Sequence, residues 1–113
     1  MLFVIHMLDN PGCLQLRFDN RPAHKEYVSR IAHQLAFGGP LLDDQGQVNG
    51  SVIIVEFEDR QALDQWLADE PYTKCGVYAK VQVHQTRSYW PQCAGFPEAT
   101  APKAAESAAR AAQ

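Results

Sequence analysis

The sequence predicts an α+β fold of the ferredoxin-like type, a βαββαβ sandwich with an antiparallel sheet and both helices on one face. Three observations predict it. The chain has 113 residues, of which 46% are hydrophobic, enough for one globular core. β-Branched and aromatic runs alternate with segments of helical periodicity. Finally, the order strand–helix–strand occurs twice.

The first half of the chain predicts a strand followed by a helix. Residues 2–8 are almost all β-branched, aromatic or aliphatic, which is typical of a buried strand. A helix is predicted over residues 22–36, with Asn20 as its cap and Pro22 in its first turn. Its apolar stripe steps by three and four residues. The stripe comprises His24, Tyr27, Val28, Ile31 and Leu35.

The second half repeats this order. The Gly-Gly-Pro sequence at 38–40 is predicted to end the first helix, before a short extended segment at Leu41 and Leu42. Residues 51–57 read as a strand. A second helix is predicted from Asp59, its cap, to the residue before Pro71. The last strand is predicted over residues 77–86.

Such a sandwich leaves one face of its sheet without helices. Side chains such as Val52 and Ile54, or their alternates, are too apolar to leave in water. Face-to-face packing of two sheets in a homodimer, as a dimeric α+β barrel, is the simplest cover. The domain is predicted to span residues 1–90. Residues 91–113, rich in Pro and Ala, are predicted to be a tail that is partly extended or a frayed helix.

Composition excludes several classes of function. The net charge of −3, with only 10 Lys and Arg residues, argues against nucleic-acid binding. Three cysteines without CxxC spacing and four scattered histidines predict no metal site, and no cofactor is expected. The apolar N-terminus is short and contains an early aspartate, so neither a signal peptide nor a membrane span is predicted. A cytoplasmic protein is expected.

Two places along the chain are candidates for acid–base chemistry. The predicted helix puts His24 in its first turn, where the partial positive charge of the helix start opposes protonation of the imidazole and favours a general base. Asp69 and Glu70 are predicted to end the second helix at its negative pole, where a carboxylate is unfavourable unless it serves another purpose. Either acid is a candidate partner for an imidazole.

Several segments together resemble the YCII-related (YciI-like) family of small dimeric α+β-barrel proteins. They are the opening strand with Asp9, Leu14 and Arg17, the sequence Arg21-Pro22-Ala23-His24, Gly39-Pro40, residues 50–57, Ala68-Asp69-Glu70-Pro71-Tyr72, and Gly76-Val77-Tyr78. The resemblance covers residues 1 to about 87. It implies a ferredoxin-like protomer, a face-to-face dimer and a pocket beside the histidine of the first helix.

The family's proposed site pairs a histidine with an aspartate, and this implies His24 and Glu70 as catalytic residues. Here Glu70 stands where the family usually has aspartate before its proline, and Asp69 is one residue earlier. The additional methylene moves the carboxylate by ~1 Å, which matters in a catalytic pair.

Two functions remain open. The first is a small, cofactor-independent dimeric enzyme that moves protons on a small anionic organic acid, as an isomerase, lyase or dehydrohalogenase does. Arg17 or Arg21 would hold the anionic group, with Asp9 orienting an arginine and Tyr72 also in the substrate site. The second is a dimeric ligand-binding or protein-interaction module in which His24 is structural.

Overall fold

The computed structural model describes residues 1–90, which form a four-stranded antiparallel sheet with helices on one face. This confirms the predicted ferredoxin-like fold. In chain order the elements are β1 (Leu2–Asp9), α1 (Leu14–Ser29), β2 (Leu35–Leu42), β3 (Val48–Glu56), α2 (Arg60–Asp69), α3 (Pro71–Cys75) and β4 (Tyr78–Thr86). The predicted tail at 91–113 lies outside the described residues.

The sheet has the order β2-β3-β1-β4, so the first and third strands are central. Residues that pair across β1 and β3 share one face, as Ile5 does with Ile53 and Val4 with Ile54. The face that contains Ile5 packs against the helices. The same core also contains Phe3, Met7, Ile53, Val55, Leu63 and Leu67. Alternation along the central strands therefore decides which side chains reach the helix layer.

Helix α1 differs from the prediction. It runs from Leu14 to Ser29 rather than over 22–36, and it contains Pro22 in its interior. Asn20 does not cap the helix, because its side-chain amide donates to the carbonyl of Leu16 at 2.9 Å within it. An interior proline costs a helix ~3 kcal/mol. The first turns of α1 nevertheless stay helical because their residues make tertiary contacts, above all the buried Arg17 with its ion pair to Asp9.

The Gly-Gly-Pro sequence does not end a helix. After a 3-10 turn at Ala32–Gln34, strand β2 already begins at Leu35 and includes Gly38, Gly39 and Pro40. Proline is tolerated because β2 is an edge strand. The extended segment is thus longer than predicted. Pairing with β3 decides this, since the local sequence alone reads as a break.

Helix α2 begins as predicted. The carboxylate of Asp59 accepts the backbone N–H of Ala62 at 2.8 Å, which confirms the cap. The helix ends at Asp69, and Pro71 opens the separate short helix α3. Among residues 1–90, no helix is long and apolar enough to span a membrane.

The other sheet face has no helix over it. Along β1 and β3 it carries apolar, half-buried side chains such as Val4, Val52 and Ile54. Phe37, which pairs with Ile54 at the edge, is 55% exposed. The apolar, helix-free sheet face that the sequence predicts is therefore present in the protomer.

Candidate active site

His24 and Glu70 form a hydrogen-bonded pair between α1 and the junction of α2 with α3. The Nδ1 atom of His24 lies 2.5 Å from Oε1 of Glu70, and their side chains are 13% and 2% exposed. An ionised carboxylate only accepts hydrogen bonds, so Nδ1 carries the proton in this contact. The lone pair of a neutral His24 is then on Nε2, the nitrogen on the other side of the ring.

The junction of two helices gives Glu70 its position. Glu70 closes α2 and caps α3, where its Oε1 also accepts the backbone N–H of Tyr72 at 3.2 Å. Both acids do lie at the end of α2, as predicted, but Glu70 also lies at the start of α3, where the partial charge of the helix is positive and favours a carboxylate. Pro71 is responsible, because it stops α2 and suits the first position of α3.

His24 lies in the third turn of α1 and not in its first, because the helix begins at Leu14. The argument that the helix start opposes protonation of His24 is therefore wrong, since that effect fades within one turn. The contacts of the imidazole are what define its environment. Its edge meets Glu70, and one of its faces stacks on the ring of Tyr72, with centroids 3.9 Å apart and an interplanar angle of 9°.

Tyr72 is fully buried, at 0% exposure. Its phenol is hydrogen-bonded to the Arg17 guanidinium, whose central carbon lies 4.8 Å from the ring centroid. The ring of Tyr78 meets it edge-on at 6.0 Å. Burial raises the pKa of Tyr72 to about 12, so the phenol stays protonated at neutral pH.

Arg17 and Asp9 form a buried ion pair next to Tyr72. The Nε and Nη2 atoms of Arg17 donate to the two oxygens of Asp9 at 2.6 and 3.1 Å, and Nη2 also donates to Ser51 at 2.5 Å. Burial by itself would lower the pKa of Arg17, but the hydrogen bond and charge of Asp9 outweigh it, and the pKa is raised. Arg17 therefore stays charged inside the protein, with Asp9 as its counter-ion.

A cavity of about 180 Å³ opens beside the histidine–carboxylate pair. Its wall is mostly apolar, with polar side chains at a few points. His24, Glu70, Trp66, Ser51 and Tyr78 are the polar or aromatic members. Burial and the nearby Glu70 charge raise the pKa of Tyr78, which therefore lines the cavity as a neutral phenol.

Two of these side chains have unused hydrogen-bonding capacity. Nε1 of Trp66 and Oε2 of Glu70 are buried and have no partner among the described residues. The Trp66 ring stacks on Tyr27 at 5.3 Å and meets Phe57 at 6.0 Å, which holds it in place. A buried polar atom without a partner costs about 1–3 kcal/mol, and at a cavity wall this favours a polar ligand.

The remaining predicted site residues lie at different distances from the pair. Arg17 and Asp9 are enclosed behind Tyr72 and do not line the cavity. Arg21 is half-buried in α1, and its Nε has no partner in the part of the chain described. Asp69 points to solvent, 70% exposed and 3.9 Å from Lys74, so the structure joins Glu70 and not Asp69 to His24.

Ser51, Trp66 and Tyr78 were not predicted as site residues. Ser51 had a signal in the sequence, since it falls on the buried face of β3 in alternation with Ile53 and Val55. A polar residue at such a position needs a partner, here Arg17. Trp66 read as an ordinary core residue of α2.

Comparison with known proteins assigns the chain to a family. The family model of the YCII-related domain matches residues 1–87. The chain belongs to the YCII-related family. It is 34% identical to the protein YciI of Escherichia coli and to an uncharacterized protein of Haemophilus influenzae. In both cases the match covers 74% of this chain and 93% of the relative.

One solved structure similar to this YCII-related chain is an enzyme. It is the 5-chloro-2-hydroxyhydroquinone dehydrochlorinase TftG of Burkholderia phenoliruptrix AC1100, in complex with 2,5-dihydroxybenzoquinone. The TM-score is 0.72 at 34% identity, over 77% of this chain and 94% of the enzyme. The similarity is consistent with a small enzyme.

Proposed function

We propose that this YCII-related protein is a small enzyme in which His24 and Glu70 transfer a proton on a small hydroxylated ring compound. The observation that carries the proposal is the 2.5 Å contact between His24 Nδ1 and Glu70 Oε1 at the wall of a cavity. A histidine oriented by a carboxylate is a common general base. The similarity to a dehydrochlorinase favours an elimination or isomerisation over other proton transfers.

The proton path follows from the hydrogen bond. Glu70 holds the proton of His24 on Nδ1, which leaves the lone pair on Nε2 to accept a proton from the ligand. The resulting imidazolium is stabilised by the carboxylate 2.5 Å away. In a dehydrochlorination, His24 takes the proton of one hydroxyl and delivers it to the ring carbon that carries chlorine, while that hydroxyl becomes a carbonyl. His24 then takes the proton of a second hydroxyl, whose oxygen becomes the second carbonyl as the ring electrons shift and chloride leaves. The imidazolium then returns its proton to solvent.

The cavity has a size suited to one ring. An engineered protein cavity of ~150 Å³ binds benzene, and the cavity beside His24 measures about 180 Å³. Its apolar wall favours the face of a ring. Trp66 Nε1 can donate to a ligand oxygen, and Glu70 Oε2 can accept from a hydroxyl, after small side-chain adjustments. These groups favour an oxygenated ring over a hydrocarbon.

An anionic group on the ligand would be held by Arg21 rather than Arg17. Arg17 is already engaged by Asp9 and Ser51 and is fully buried. Arg21 lies three residues before His24, so both side chains lie on the same face of α1. Its Nε is without a partner among residues 1–90. Arg21 does not line the cavity either, so its proposed anion-binding role rests on its unpartnered Nε and on its place one turn before His24.

The protein is also proposed to be a homodimer. The helix-free sheet face carries Val4, Val52 and Ile54, with the exposed Phe37 at its edge. A second copy of the same face would cover these side chains and remove them from water.

The competing function is a ligand-binding module in which His24 only supports the fold, and the low exposure of its side chain favours that alternative. Chloride release from 5-chloro-2-hydroxyhydroquinone distinguishes the two. The enzyme is expected to turn this compound over, and His24→Gln to lower kcat by ~10²-fold or more. His33→Gln is the matched control, since His33 is exposed. Binding without turnover in the wild type would support the module.

An NMR titration of the histidines tests the pair without a substrate. If His24 and Glu70 are coupled, the titration midpoint of His24 moves when Glu70 is changed to glutamine, whereas that of His33 does not. A His24 midpoint that ignores the Glu70→Gln change contradicts the proposed acid–base pair.

A further inference from the structure

The Glu70-Pro71-Tyr72 segment contacts the imidazole of His24 on two sides. The carboxylate of Glu70 meets the edge of the ring at Nδ1, at 2.5 Å. The phenol ring of Tyr72 covers one face at 3.9 Å and is almost parallel to it. One short stretch of chain therefore supplies both the hydrogen bond and a flat support for the same ring.

The stacking contact with Tyr72 restricts a rotation of the His24 ring that the hydrogen bond to Glu70 does not prevent by itself. A hydrogen bond at Nδ1 requires the carboxylate oxygen to lie close to the plane of the imidazole. Rotation about the Cβ–Cγ bond of His24 would turn the plane of the imidazole away from that oxygen. A parallel ring at van der Waals distance opposes this rotation, because a tilted imidazole would collide with Tyr72.

Tyr72 can act in this way because it is itself fixed. Its phenol is hydrogen-bonded to Arg17, and Tyr78 packs edge-on against its ring. Arg17 is in turn held by the two oxygens of Asp9, at 2.6 and 3.1 Å. The plane of the His24 ring is thereby connected to a buried ion pair that does not touch the cavity.

We infer that Tyr72 is a positioning residue, which sets the plane and hence the Nδ1–H tautomer of His24, and not the substrate-binding residue that the sequence suggested. The inference rests on the proposed function in one respect: His24 is taken to be the base whose Nε2 must be free of a proton. Because Tyr72 is 0% exposed, it acts through His24 rather than on the ligand.

The test compares Tyr72→Phe with Tyr72→Leu. Phenylalanine keeps the flat ring and loses only the hydroxyl, whereas leucine removes the ring. Long-range ¹⁵N–¹H NMR reports which nitrogen of His24 carries the proton. The wild type and Tyr72→Phe are expected to show mainly the Nδ1–H tautomer, and Tyr72→Leu a mixture of both. The rate of chloride release should change in parallel with the tautomer. In Tyr72→Leu, kcat is expected to fall ~10- to 100-fold with KM within about threefold, whereas Tyr72→Phe stays within about threefold of the wild type.

Tyr27→Leu is the matched control. Tyr27 is also a tyrosine of the α1 region stacked on an aromatic ring, but its partner is Trp66. Its loss is expected to lower stability and to leave the tautomer of His24 unchanged. If Tyr27→Leu and Tyr72→Leu disturb His24 equally, the role of Tyr72 is general packing and the inference is wrong.

Two further outcomes keep the inference separate from folding and from the proposed function. If Tyr72→Leu does not fold, Tyr72→Met replaces it. The stacking can also be measured in the wild type alone, because the Tyr72 ring should shift the His24 ring protons upfield. An absent shift in the wild type, or an unchanged tautomer in Tyr72→Leu or its replacement Tyr72→Met, overturns the inference. Full turnover in His24→Gln would instead refute the proposed function, whatever the tautomer shows.

Discussion

The buried ion pair between Asp9 and Arg17 predicts a large loss of stability in Asp9→Asn. Both side chains are nearly inaccessible, at 6% and 0% exposure. Two charge-assisted hydrogen bonds join them, from Nε at 2.6 Å and from Nη2 at 3.1 Å. Asparagine keeps one oxygen acceptor but loses the negative charge, so Arg17 would remain as a buried cation without a counter-ion.

The magnitude follows from those contacts. Breaking a buried pair by removing one charge costs about 3–5 kcal/mol. Because the guanidinium keeps its bonds to Ser51 and Tyr72, we expect the lower end, about 3 kcal/mol, out of the ~5–15 kcal/mol that stabilises a typical domain. With a urea dependence of ~1.5 kcal/mol per molar, the unfolding midpoint falls by about 2 M.

The assay is urea unfolding followed by circular dichroism, with an exposed pair as control. Glu26 and Arg30 are also 2.8 Å apart, but their side chains are 63% and 64% exposed. Glu26→Gln is expected to leave the urea midpoint close to that of the wild type, because water screens an exposed pair. A loss below about 1 kcal/mol in Asp9→Asn, close to that of the control, would refute the reasoning.

A double variant separates charge from packing. In Asp9→Leu with Arg17→Met, neither charge remains to be buried without a partner. It should therefore be more stable than Asp9→Asn, although it has lost every polar contact of the pair. The reverse order of stability would indicate that the hydrogen bonds to Arg17, and not its charge, dominate.

Three further predictions concern alkaline pH, one glycine and the helix-free face. In the folded protein the phenol of Tyr72 has a pKa of about 12 and keeps a proton that the unfolded chain releases near pH ~10, so stability falls as pH rises through this range. At pH 11 the loss of stability from this phenol is about 1.4 kcal/mol, and Tyr72→Phe should flatten the decline of the urea midpoints between pH 9 and 11. A Cβ at Gly50 would collide with the backbone carbonyl of Met7, whereas a Cβ at Gly38 would meet only a side-chain methyl at 3.5 Å. Gly50→Ala should therefore unfold at a clearly lower temperature than Gly38→Ala, and equal melting temperatures would contradict the close approach at Gly50. Ile54→Lys, on the helix-free face, should be a folded monomer by light scattering, and a dimer of unchanged stability would exclude this face as the interface.

The sequence by itself determined the fold class. The β-branched and aromatic runs at residues 2–8 and 51–57 predicted strands, and Asp59 predicted the start of α2. These features are encoded locally, in periods of two and 3.6 residues and in caps. The resemblance of the chain to its family added His24 and Glu70 as a pair, which the residues alone suggested only separately.

The bounds of α1 and β2 were decided by tertiary structure. Pro22 reads locally as a helix start, and Gly38 to Pro40 read as a helix end. The structure places the first inside α1 and the second inside β2. Burial of Arg17 opposes the preference at Pro22, and pairing with β3 opposes that of the glycines. Such contacts join residues distant in sequence, so no local pattern contains them.

Tertiary structure also decided which candidate residues come together. Asp69 and Glu70 are adjacent in sequence and equally acidic, yet only Glu70 turns inward, because it closes one helix and caps the next. Arg17 and Arg21 lie one turn apart in α1, yet only Arg17 reaches Asp9 and Ser51. The direction in which a side chain leaves its helix, and what it then meets, follows from the packing of α1 and α3 against the sheet. That packing is a property of the whole fold.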